Sequence, residues 1–131
     1  MPERFAFDYA VVRVVPRVDR GEFLNAGVIL FSRTREFLDA RIGLDERRLR
    51  AIDPTVDLDA VRTYLDAIPK VCAGGGEPGS IGALPPSERF HWLVAPRSTV
   101  IQTSEVHSGV DHDLAAALDR LFDKLVRSPS R

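Results

Sequence analysis

The side chains best suited to chemistry concentrate between Arg89 and Asp113: Arg89, His91, Arg97, Ser98, Thr99, His107, Asp111, His112 and Asp113. Imidazole and carboxylate together suit zinc, iron or manganese. However, the spacing of His107, Asp111, His112 and Asp113 matches no helical ligand pair, and acids favour a helix N-terminus for dipole reasons alone. No metal is assigned, and no cofactor is implied. Ser98 or Ser108 with His107 as base would make a nucleophile, but no Gly-x-Ser-x-Gly elbow surrounds either serine. Anion binding is the third chemistry. Arg97, Ser98 and Thr99 offer a guanidinium fork, two hydroxyls and loop N–H groups to a phosphate or carboxylate. The plainer alternative is structural: Arg97 pairs with an acid while Ser98 and Thr99 begin a strand. Arg89, beside Phe90 and Trp92, has a similar alternative as a salt-bridged surface residue with its stem on an aromatic ring.

A second polar set interrupts the most strand-like stretch, Glu22 to Phe31. Alternation places Glu22, Leu24, Ala26, Val28 and Leu30 on one face, and Phe23, Asn25, Gly27, Ile29 and Phe31 on the other. Both faces are mainly apolar, so the strand should be covered on both sides near its C-terminal end. Asn25 and Gly27 suit a ligand or partner contact. The simpler reading is a β-bulge, with Asn25 bonded to local backbone, because glycine within a strand often marks a bulge.

The elements that must position these residues read as α+β. Phe7–Val15 is a first strand ended by Pro16, which has no N–H to give. Arg17–Gly21 is of hairpin length, and Phe37–Ile42 completes a three-stranded meander. Asp45 caps a short helix over Glu46–Ile52. Asp57 caps the next helix, whose stripe is Leu58, Val61, Leu65, Ile68 and Cys72, with Pro69 expected to kink or divide it. Cys72 reads as a small core residue. Residues 73–86 form a flexible Gly/Pro-rich loop without the flanking strand or lysine of a phosphate-binding loop. Residues 89–95 fit helix or strand, with helix preferred because Pro86-Ser87-Glu88 makes a helix start. Thr99–Ser104 is a fourth strand. Val106–Asp113 reads as a loop, with Asp111 capping a last helix that runs to about Arg127. Its stripe includes Leu114, Leu118, Leu121, Phe122 and Leu125. Residues 128–131 should fray.

The 131 residues suit one domain with one core, and a net charge of −1 disfavours nucleic acid and anionic membranes. The single cysteine excludes an intrachain disulfide, and no segment reads as a signal peptide or membrane span. A cytoplasmic location is expected.

Two blocks resemble a known family. Tyr9-Ala-Val-Val-Arg-Val-Val-Pro16 followed by Arg20-Gly-Glu-Phe-Leu-Asn-Ala-Gly-Val28 is similar to the N-terminal signature of the bacterial family termed domain of unknown function 3037. Arg89-Phe-His-Trp-Leu-Val-Ala-Pro-Arg-Ser-Thr-Val-Ile-Gln102, with Val106-His107 and Gly109, resembles its C-terminal signature. The resemblance singles out Glu22, Asn25, Gly27, Arg89, Arg97, Ser98 and His107, without saying whether they serve folding, binding or catalysis. It also implies a neighbouring HipA-like kinase, and hence a non-enzymatic accessory or regulatory role. The expectation is therefore a single α+β domain over 1–131: an antiparallel sheet of about four strands with the Leu58 and Leu114 helices packed on it. The competing reading is a small enzyme or ligand-binding domain, with Glu22, Asn25, Arg97, Ser98 and His107 converging on an anionic small molecule.

Overall fold

The computed structural model describes residues 3–127. Strands β1 (Phe5–Val14), β2 (Leu24–Ser32) and β3 (Phe37–Ile42) form the expected antiparallel meander. Helices α1 (Glu46–Ile52) and α2 (Leu58–Ala73) follow, then a short 3₁₀ turn over Ile81–Ala83 and α3 (Pro86–Val94). Strands β4 (Ile101–Thr103) and β5 (His107–Asp111) and helix α4 (Leu114–Leu125) complete the chain. The sheet order is β3-β2-β1-β4, and β5 also pairs with β1. β4 meets the C-terminal half of β1, and β5 the N-terminal half. The expected frayed tail, 128–131, lies outside the described residues.

Helices cover both faces of the sheet. On one face Leu49 of α1, Val61, Leu65, Ile68 and Cys72 of α2, and Phe90 and Leu93 of α3 pack on Val12, Val14, Ile29 and Phe31. On the other, Leu114, Ala117, Leu118 and Phe122 of α4 pack on Phe7, Val28 and Leu30. Burying β2 on both sides explains its nearly unbroken apolar run.

The expected bulge is present, and it changes the faces. Val12 pairs with Gly27 but Arg13 with Asn25, so Ala26 is the extra residue. Strict alternation therefore fails below Gly27. Leu24 and Ala26 join Ile29 and Phe31 in the core beneath α2, not Val28 and Leu30. Asn25 turns to the α4 side, where its Nδ2 donates to the Leu125 carbonyl at 3.0 Å. Its partner is thus 100 residues away, not local backbone. Gly27 allows a close strand approach: a Cβ there would stand 2.5 Å from Ile42 Cδ1 and 2.8 Å from the Arg41 carbonyl oxygen.

Asp45 and Asp57 cap α1 and α2 as expected, accepting from Arg48 N and Ala60 N. Pro69 lies inside α2 without dividing it, and Ile68 and Cys72 on either side of it reach the same core. Residues 86–94 are helical. The 106–113 stretch corrects the loop expectation, because His107–Asp111 is a strand on β1. The cap of α4 is Asp113, which accepts from Ala116 N, and not Asp111. Asp111 instead accepts from Asp113 N and pairs with Arg120.

Candidate functional site

The residues singled out by sequence lie in separate parts of the fold. Glu22 is exposed and pairs with Arg20 in the β1–β2 connection. Asn25 and Gly27 flank the bulge. His107 is at the start of β5, half exposed, with its ring 5.4 Å from that of its strand partner Tyr9. Arg89 lies within α3 and Arg97 follows it, and Ser98 is exposed beyond it.

The two arginines serve backbone. Arg89 is buried, not a surface residue, and its guanidinium donates to the carbonyls of Leu84 (2.8 Å), Val71 (3.0 Å) and Cys72 (2.6 Å). It ties the end of α2 to the Gly-rich segment, where Gly75 N donates to Gly82 O. Gly74, with φ of 78°, must be glycine on two counts, since a Cβ would also stand 2.9 Å from Arg89 Nη1. Arg97 pairs with no acid among the described residues. It donates to the Trp92, Leu93 and Ala95 carbonyls and lies 4.8 Å from the Trp92 ring centroid. These bonds satisfy carbonyls at the end of α3 that the helix itself leaves free. Thr99 Oγ1 donates to Ile101 O, and the strand begins only at Ile101.

The shifted titrations have local causes. Burial pushes the Cys72 thiol up to about 12, as befits a core residue. Asp53 is held below the ordinary carboxylate range chiefly by the Thr55 hydroxyl and N–H, and Asp111 by Asp113 N–H. Among the described residues, no three His, Cys, Asp or Glu side chains gather as a metal site.

A groove lies on the α2 side of the sheet. It has a volume of about 640 Å³ and runs between α2, the end of α3 and the outer side of β4. Tyr64, Ile68, Trp92 and Leu93 supply apolar wall, and Arg97, Ser98 and Thr99 lie along it. Three of its side chains are large, apolar and exposed: Val18, Tyr64 and Trp92. β4 is an edge strand. Its bonds with β1 run Ser104 N to Val11 O and Val15 N to Val100 O. By antiparallel alternation, the main-chain groups of Ile101 and Thr103 then point away from β1, toward the open edge.

The model of the family described as "Protein of unknown function (DUF3037)" matches residues 9–126. The chain belongs to this family. No curated protein and no solved structure matches it. No helix among the described residues is long and apolar enough to cross a membrane. Seen on the fold, the family's first signature block is β1, the following connection and the bulged half of β2. The second block is α3 from Arg89 onward, its Arg97 cap and β4, which form one wall and the floor edge of the groove, together with Val106, His107 and Gly109 at β5, which lie outside it. Sequence reasoning passed over Val18 and Tyr64. Tyr64 had a signal: it is an aromatic residue one position off the buried stripe of α2 and is 57% exposed.

Proposed function

We propose that this protein is a non-enzymatic accessory module that docks an extended, apolar segment of a partner protein in the α2–α3–β4 groove. One observation carries the reading: a strand edge to which no further strand among the described residues is paired opens onto a groove with exposed aromatic walls. An open edge is a template for strand addition, and natural proteins usually cover or charge such edges. Here the edge residues Ile101, Gln102 and Thr103 are uncharged. A peptide added there gains main-chain bonds from Thr103 and from the Ile101 N–H, the Ile101 carbonyl already accepting from Thr99 Oγ1, while alternate side chains enter the groove against Trp92 and Ile68. Arg97, tied to three carbonyls and stacked on Trp92, holds that indole in place. The companion implied by the family resemblance, a HipA-like kinase, is the first partner to try.

Selection of a displayed peptide library on the immobilised protein tests this. The expected winners have apolar residues at alternate positions and lose binding on the Tyr64→Glu/Trp92→Glu variant. Winners that bind the variant equally well would remove the groove from the account.

A further inference from the structure

Arg13 and Asn25 face each other across β1 and β2, and each has one buried polar atom, Arg13 Nε and Asn25 Oδ1, with no hydrogen-bond partner among the described residues. Such atoms are few in native proteins, and each asks for an explanation. The Arg13 guanidinium has no acid within ion-pair reach among the described residues. It lies instead 4.2 Å from the ring centroid of Phe23. Phe23 belongs to neither core and is 46% exposed, so displacing its ring would open no core.

Asn25 lines a pocket of about 270 Å³, bounded also by Phe23, by Arg48 of α1, and by Lys124 and Arg127 at the end of α4, while Arg13 stands behind the Phe23 ring and outside the lining. No acid lines it. Arg127 is paired with Asp123, whereas Arg48 and Lys124 meet no acid among the described residues. Cations at a helix C-terminus offset its dipole. That accounts for Lys124 and Arg127 but not for Arg48 or Arg13, which come from other elements.

We propose that this pocket binds a carboxylate carrying an N–H donor beside it, the chemistry of an N-acyl amino acid or of a peptide's free C-terminus. Arg48 and Lys124 hold the carboxylate from the solvent side. When Phe23 swings away, Arg13 Nε donates to the same carboxylate. Asn25 Oδ1 accepts the ligand N–H, while Nδ2 stays on Leu125 O. A phosphate monoester, largely dianionic at neutral pH, brings acceptors and would leave Asn25 Oδ1 unsatisfied. This site is separate from the groove, and its failure would leave the docking reading untouched.

The test is an NMR titration of ¹⁵N-labelled protein with N-acetylglycine at low salt. The expected result is saturable shifts at the Asn25 side-chain amide and at residues 124–127. Acetate, which lacks the donor, and N-acetylglycinamide, which lacks the charge, should each bind about tenfold more weakly or worse, because each forfeits a hydrogen bond to a charged or buried partner. Arg48→Gln/Lys124→Gln removes two exposed side chains and should weaken N-acetylglycine to a similar degree without unfolding the protein. A longer peptide ending in glycine distinguishes the source: tighter binding than N-acetylglycine assigns the site to chain ends, and weaker binding to a free small molecule. Absence of saturable shifts at these residues, equal binding of acetate, or binding unchanged in the double variant would each overturn the proposal.

Discussion

Arg89 shows how little a residue's type reveals about its role. A guanidinium beside aromatic residues suggests a surface or binding group, yet this one is buried among three carbonyls. Hydrogen bonds from charged groups are worth roughly 1.5–3 kcal/mol each, and their loss here leaves acceptors in a dry environment. Arg89→Ala should therefore destabilise the fold by about 3 kcal/mol or more in urea unfolding. A loss near zero would show that the carbonyls find other partners. Gly27→Ala should cost about 2 kcal/mol through the clash with Ile42 and the Arg41 carbonyl. Asp53 gives a pH signature. Its folded pKa is lowered, so its contribution is present above the ordinary carboxylate range and is lost as pH falls through the folded value. The stability gap between wild type and Asp53→Asn should thus be open at neutral pH and close below about pH 4, as read by unfolding at several pH values. A gap unchanged at low pH would mean that the Thr55 bonds do not depend on the charge.

The elements were legible where one local signal set them. Asp45 and Asp57 stand directly before helical stripes, and both caps form where the sequence placed them. β5 had no such signal. His-Ser-Gly-Val-Asp is polar, carries a glycine and has mostly exposed side chains, so only its pairing with β1 makes it a strand. Gly109, which reads as a breaker, is there because a Cβ would stand 2.5 Å from Phe7 Cζ. With β5 unseen, the cap of α4 was assigned to Asp111 rather than Asp113. Asp113→Ala should lower stability by about 1 kcal/mol and fray the first turn of α4, visible as faster amide exchange at Ala116. Equal exchange in both proteins would deny Asp113 the capping role. The faces of β2 escaped for a related reason. A bulge adds one residue, and everything before it changes side. The glycine announced the bulge, but nothing in the sequence located the extra residue at Ala26.

At the scale of the whole molecule, the sheet has helices on both faces and an open edge at β4. The layers were legible because β2 is apolar on both sides. The groove was not, since it is assembled from α2, α3, β4 and the connection after β1, which meet only in the folded chain. What the sequence did hold was its second signature block, Arg89 to Gln102, which turns out to build most of one wall. The account stands on that groove receiving a partner segment. The most direct measurement is a comparative pull-down from the native host with wild-type protein and Tyr64→Glu/Trp92→Glu, two exposed positions whose substitution leaves both cores intact. The account predicts a stoichiometric companion on the wild type that is lost from the variant and retained by Arg48→Gln/Lys124→Gln. A companion held equally by all three proteins, or none on the wild type, would contradict it.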